Sequence, residues 1–183
     1  MVELKDEVDP ATIINSGIEP VDVQIDNLAY RYPDGDKDVL KDIQLDVPAG
    51  TSVAFVGGSG SGKTTLVDLI LGLLTPTSGT ISSQGKDIHT DLHSWYQKIG
   101  YVPQDPYLGN GTLREAVAFG IPEKHIDDDR VIYCLELAEL MPVVETLEDG
   151  INTSIGENGN RLSGGQRQRV GIARAMYRLS LIH

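Results

Sequence analysis

Cysteine is nearly absent from this sequence. Cys134 stands alone, so no internal disulfide can form, and the usage fits a reducing compartment. Basic residues are scarce: 15 Lys and Arg face 27 Asp and Glu, a formal charge of −12. So acidic a chain is repelled by nucleic acid and by anionic lipid head groups, which excludes both as general partners. Long apolar runs are missing too. The longest, residues 52–56 and 66–74, are too short or too interrupted to cross a bilayer. Any membrane attachment is therefore expected from another segment or another chain. Met1 is followed by Glu3, Lys5, Asp6, Glu7 and Asp9, which is not a secretory-signal pattern. Internal repeats and low-complexity tracts are absent as well.

What is present is the composition of a soluble globular protein: 40% hydrophobic and 23% charged residues over 183 positions. Length alone suggests one domain that buries about 70% of its unfolded surface. The charge is uneven. Residues 1–50 hold twelve acids and four bases, whereas residues 160–183 hold five arginines and no acid. An acidic face and a basic C-terminal helix account for this. Residues 1–22 are polar and broken by Pro10, Gly17 and Pro20, and read as a linker or tail. Residues 23–32 and 39–47 alternate in part around a turn at 34–36, which predicts an antiparallel hairpin. Short apolar strands are predicted over 51–56, 80–83 and 99–103. Helices are predicted over 63–74, 92–98, 112–119, 128–140 and from Ser163 to about Arg178.

Gly57, Gly58, Ser59, Gly60, Ser61, Gly62, Lys63 and Thr64 fit G-x-x-x-x-G-K-[ST] between a predicted strand and a predicted helix. Glycines let successive backbone N–H groups curl around a phosphate. The helix beginning near Lys63 adds its positive end. Lys63 supplies a point charge for β- and γ-phosphates, and Thr64 a hydroxyl for Mg²⁺. An ordinary glycine turn does not need this lysine and threonine. By itself the loop specifies a nucleoside triphosphate, not a reaction.

A second helix start carries similar chemistry. Leu162, Ser163, Gly164, Gly165 and Gln166 open the last helix. Ser163 is a good N-cap, and the two glycines allow backbone N–H groups to approach an anion. This string resembles the signature of ABC transporter nucleotide-binding domains. Other elements fall in that family's order. Gln104 matches the Q-loop glutamine, which in the family contacts Mg²⁺ and couples to the transmembrane domain. Tyr32 matches the aromatic residue that stacks on adenine, and is preferred over Tyr30 on the same strand. Residues 153–159 and 111–115 resemble exporter segments.

The resemblance covers residues 23 to about 178. It implies an α/β P-loop NTPase fold, an ABC-type ATP-binding domain with an N-terminal antiparallel β-subdomain and a helical subdomain. The division is then 1–22 as a connector and 23–183 as part of the ATP-binding domain. The cofactors implied are ATP and Mg²⁺, with Thr64 and Gln104 on the metal. Gly57, Gly58, Ser59, Gly60, Ser61, Gly62, Lys63, Thr64 and Thr65 are implied at the phosphates. Ser163, Gly164, Gly165 and Gln166 are implied to act in trans on the nucleotide of a second domain, in a head-to-tail dimer. A transmembrane domain is the other implied partner, which puts the protein at the cytoplasmic face of the plasma membrane.

One set of family residues has no counterpart. After the signature the family continues into an apolar strand that ends in Asp and Glu, the Walker B carboxylates, and later a switch histidine. Here no acid follows Glu157, and His183 is out of register with that histidine. The expectation is therefore an exporter-type ATP-binding domain, cut after the signature helix, that binds nucleotide and by itself does not hydrolyse it. The alternative is a non-enzymatic regulatory fragment that docks on an intact ABC subunit. The core strands that would flank the phosphate-loop strand are also expected to be missing. Unpaired buried backbone groups cost about 1–3 kcal/mol each, so the protein is expected to fold poorly alone. The remaining candidates read as structure. His89 and His93 are surface residues without a third ligand. Asp127, Asp128 and Asp129 stabilise a helix start. Trp95 and Tyr96 are packing or docking residues, not a catalytic pair, and Cys134 is a core residue.

Overall fold

The computed structural model describes residues 20–180. Most of the predicted linker, and His183, lie outside the described residues. The protein divides into two compact units, one ending at Ile99 and the other beginning at Gly100.

The first unit is a four-stranded antiparallel sheet with two helices. Its strands are β1 (Val23–Tyr30), β2 (Leu40–Val47), β3 (Ser78–Ser83) and β4 (Lys86–Asp87), in the order β2-β1-β3-β4. The predicted hairpin is present: Ile25 pairs with Leu45, Leu28 with Ile43 and Tyr30 with Leu40. Strict alternation along β1 breaks between Ile25 and Leu28 because the register shifts there. Asn27 sits at φ +48°, and this extra residue returns Leu28 to the buried face. Gly79 on β3 follows from the same irregularity, since a Cβ there would lie 2.4 Å from the Asn27 carbonyl oxygen. The buried face carries Ile25, Leu28, Tyr30, Leu40 and Ile81. It packs with Leu66 and Leu69 of α1 (Lys63–Ile70) and Trp95 of α2 (Leu92–Lys98). The Trp95 indole N–H donates to the Ile70 carbonyl at 2.9 Å, so the ring is a packing residue with its polar atom satisfied.

The second unit is helical. It holds α3 (Leu113–Val117), α4 (Asp128–Leu137), α5 (Met141–Val144) and α6 (Gly164–Ser180). Val170, Ala173 and Tyr177 of α6 form one core with Leu113 and Val117 of α3 and Val131, Cys134 and Leu135 of α4. The Asp127 carboxylate accepts from the Arg130 N–H at 3.1 Å, as a helix cap does. Thr112 and Glu115 form a reciprocal capping box on α3.

Several expectations need correction. Residues 51–56 and 99–103 are not strands; only an isolated bridge falls at Val56. Their β-branched residues suit a sheet, but strand propensity stabilises nothing without a neighbouring strand to satisfy the backbone. Val56 is 48% exposed and Tyr101 56%, as befits segments with one uncovered side. Helix α1 stops at Ile70, four residues early, because Gly72 takes φ +71°. Helices α3 and α4 also end short of 119 and 140. His89 and His93 do not share a helix: His89 lies in a single 3₁₀ turn and His93 in α2. His89 Nε2 lies 3.2 Å from the Leu74 carbonyl oxygen, and His93 Nε2 lies 3.1 Å from Gln97 Nε2. Among the described residues no helix is long and apolar enough to cross a membrane.

Candidate functional site

The phosphate loop meets α1 at a glycine. Gly62 is the N-cap of α1 at φ +89° and has no side chain with which to cap it. The first-turn N–H groups are thereby left for an external acceptor. Gly62 is required for space as well as for φ, since a Cβ there would lie 2.8 Å from Leu40 Cδ2. Gly58 and Gly60 are different: a Cβ on either would meet nothing within 4 Å. Nothing in the protein crowds those two positions, so a phosphate can approach their backbone.

Lys63 is bound to the loop it follows. Its ammonium donates to the Gly57 carbonyl at 2.8 Å and the Gly58 carbonyl at 2.7 Å, and lies 3.2 Å from Ser61 Oγ. A flexible four-carbon stem is thus held in one geometry beside the helix start. Thr64 is exposed, whereas Thr65 is 6% exposed.

The fold separates the two tyrosine candidates. Tyr30 is 6% exposed and belongs to the core, while Tyr32 is 43% exposed. Their rings meet edge to face at 5.0 Å, so Tyr30 braces Tyr32. The Tyr32 hydroxyl lies 3.1 Å from Thr65 Oγ1. Tyr32, Val39, Gly60, Gly62, Lys63 and Thr64 line one open cavity of about 270 Å³. Tyr32 and the phosphate loop, well separated in sequence, therefore share a single concave site.

The other predicted residues lie in the second unit. Gln104 is exposed in the irregular loop before Pro106. Its neighbour Asp105 places a carboxylate oxygen 4.0 Å from Arg167 Nε, an exposed pair worth at most about 1 kcal/mol. At the start of α6, the Ser163 N–H donates to Gln166 Oε1 at 2.8 Å, and the Gln166 N–H donates to Ser163 Oγ at 3.3 Å. This is a reciprocal capping box. Sequence reasoning missed Gln166 as a capping residue, although S-x-x-Q is legible in the string. The Ser163 hydroxyl accepts in this arrangement, and its own proton remains available to an anion. A Cβ on Gly165 would meet nothing within 4 Å, and on Gly164 only the tip of Arg167. Internal packing does not call for either glycine.

The arginines of the last helix read in sequence as surface pairs or as neighbours of a partner's nucleotide, and one of them is held differently. Arg174 is half-buried on α6. It donates from Nε to the Ala116 carbonyl at 2.8 Å and from Nη1 to the Tyr107 carbonyl at 2.6 Å. Its guanidinium stacks 4.7 Å from the Phe119 ring centroid. Burial pushes its pKa below the usual arginine value. Backbone carbonyls hold it, and these leave no mark in sequence.

Known proteins share this geometry. Residues 40–182 match the profile of the family described as ABC transporter. An ATP-dependent lipid A-core flippase of Cupriavidus pinatubonensis is 45% identical over 159 residues, covering 86% of this chain and 27% of the flippase. The mitochondrial iron-sulfur clusters transporter ATM1 of Saccharomyces cerevisiae is 40% identical, covering 86% of this chain and 22% of that protein. The 183 residues thus span about a quarter of the length of these relatives. A bacterial Atm1-family ABC exporter solved with ATP bound superposes with a TM-score of 0.78 at 34% identity, over 88% of this chain and 28% of the exporter. The antiparallel sheet, the glycine-capped phosphate loop and the helical unit are those of an ABC-type P-loop NTPase, and the chain belongs to the ABC transporter family.

Proposed function

We propose that these residues bind ATP with Mg²⁺ as the nucleotide-binding domain of an exporter. The observation that carries the proposal is the shared cavity of Tyr32 and the phosphate loop. There, uncrowded glycines, an uncapped helix start and the Lys63 ammonium converge. Backbone N–H groups around Gly57, Gly58, Ser59, Gly60, Ser61 and Gly62 bind phosphate oxygens. Lys63 exchanges its carbonyl contacts for the β- and γ-phosphates. Thr65 offers a hydroxyl to the same group, and Tyr32 stacks on the base. Thr64, beside the phosphate loop, is an oxygen donor of the kind a hard cation selects, and would hold Mg²⁺; Gln104, in the second unit, carries a side-chain oxygen of the same kind. The metal, when bound, neutralises phosphate charge.

The second half of the proposal concerns partners. Ser163, Gly164 and Gly165 present a helix start to a nucleotide held by another domain, in a head-to-tail pair. Gln166 holds Ser163 in place. A transmembrane domain receives the conformational change, at the cytoplasmic face of the plasma membrane. The 183 residues supply no carboxylate after Glu157 to polarise water, so by themselves they bind nucleotide without turning it over.

Titration with MgATP tests the site. Lys63→Ala is expected to weaken binding by about 10- to 100-fold, the worth of losing charge-assisted hydrogen bonds. Unchanged affinity would overturn the assignment. Steady-state phosphate release from the unaltered protein, abolished by the same substitution, would overturn the claim of no turnover.

A further inference from the structure

Two Asn-Gly steps lie in the second unit, Asn110-Gly111 and Asn158-Gly159. The fold treats them differently. Asn110 is exposed, and its Oδ1 accepts from the Asn158 N–H at 3.2 Å. That donor polarises the Asn110 amide carbonyl and points to where an oxyanion on Cγ would form. The Gly111 N–H has no hydrogen-bond partner among the described residues. At the other step, Asn158 Oδ1 also accepts a bond, from the Leu108 N–H at 2.8 Å. There, however, the following nitrogen is engaged: the Gly159 N–H donates to the Gly156 carbonyl at 3.3 Å. Gly159 is buried, and a Cβ on it would lie 2.7 Å from Leu108 Cδ1. One step has an activated carbonyl and an unengaged nucleophile. The other has an activated carbonyl and an engaged one.

We propose that Asn110 is a site of spontaneous deamidation and that Asn158 is protected from it. The Gly111 nitrogen bonds to Asn110 Cγ and gives up its proton. The bond from Cγ to Nδ2 breaks and ammonia leaves, which closes a succinimide. Water then opens the ring at either carbonyl, producing aspartate or isoaspartate. No oxidant or reductant is involved. The product disturbs a defined joint. Gly111 precedes the Thr112 cap of α3, and its carbonyl accepts from the Ile155 N–H at 3.0 Å. A Cβ on Gly111 would fall 2.5 Å from Glu115 Oε2, so the Glu115 carboxylate borders the residue that follows Asn110. Isoaspartate also lengthens the backbone by one methylene at residue 110, two positions before the Thr112 cap.

The full-length protein is aged in mildly alkaline buffer, natively and in urea, then digested. The Asn110 and Asn158 peptides are followed by mass spectrometry. The native sample should convert at Asn110 about tenfold faster than at Asn158, the scale of one hydrogen bond tying up the nucleophile. In urea the two rates should converge. Asn110→Gln should remove the acid product at that peptide, and it should prevent the rise in hydrogen exchange at the Ile155 N–H that accompanies ageing. Equal native rates, faster conversion at Asn158, or no conversion at Asn110 would overturn the proposal.

Discussion

The phosphate loop and the signature turn both present a helix N-terminus, yet they are finished in opposite ways. At α1 the N-cap is a glycine at positive φ, with no side chain to satisfy the first-turn N–H groups. At α6 a serine and a glutamine satisfy one another's N–H groups reciprocally. The first start therefore stays wholly dependent on an external acceptor. The second is stable without a ligand and keeps only its glycine N–H groups open. Under the proposed function, one end would hold nucleotide and the other would reach a nucleotide held elsewhere, and this asymmetry suits those two tasks. The holding end can be completed by the ligand, whereas the reaching end must keep its shape before contact.

The sharpest way to break the comparison is Gly62→Ala. It places a side chain at φ +89° and drives a Cβ against Leu40. A loss of about 1–3 kcal/mol is expected in chemical denaturation of the first unit. A neutral outcome would mean that the loop does not need its glycine cap. Ser163→Ala should cost about 1 kcal/mol locally, read as faster hydrogen exchange in the first turn of α6. Ser163→Asp should restore it. Exchange that Ser163→Ala leaves unchanged would show the box to be idle.

Tyr32→Phe keeps the ring and removes its hydroxyl from buried Thr65. A net loss of about 0.5–1.5 kcal/mol in stability is expected. That loss should vanish in a Thr65→Ala background, where no hydroxyl is left unpaired. The smallest effect concerns α3, whose Thr112 and Glu115 form the same kind of box as Ser163 and Gln166 but with a titratable member. Hydrogen bonds from the Thr112 backbone and hydroxyl hold the Glu115 carboxyl below the usual glutamate pKa. A depressed carboxylate contributes stability above its unfolded pKa and loses it as pH falls through the folded one. Hydrogen exchange in the first turn of α3 should therefore rise in acid, while that of α6 does not follow it. Parallel acid responses would remove the distinction between the two boxes.

Local chemistry made much of this molecule legible. The loop 57–64 and the turn at Ser163 announce themselves because each is a short string of particular residues at fixed spacing. The β1–β2 hairpin and the span of α2 follow from alternation and capping, which act within a few residues. Residues 51–56 and 99–103 misled for the converse reason. Their composition suits a strand, but a strand exists only when a neighbour takes its backbone hydrogen bonds. The β1–β3 pairing, Ile25 against Ile81, was equally hidden, because a long-range register leaves no local trace. Gln166 was legible and overlooked: its spacing from Ser163 signals a cap as plainly as it signals the family.

The sequence by itself determined the family. Eight loop residues and five signature residues, in order, leave little latitude, and residues 40–182 match the ABC transporter family accordingly. The family resemblance already preferred Tyr32 to Tyr30, but only the tertiary structure supplied the physical reason. Tyr30 and Tyr32 stand two apart in sequence, and strand alternation alone would put them on the same side. The sheet's packing on α1 buries Tyr30 and leaves Tyr32 beyond the strand's end, within hydrogen-bonding reach of Thr65. The same packing against Leu40 turned Gly62 from a permitted residue into a required one. Contacts between distant segments are set by how faces fit together, and that fit exists only in the folded protein.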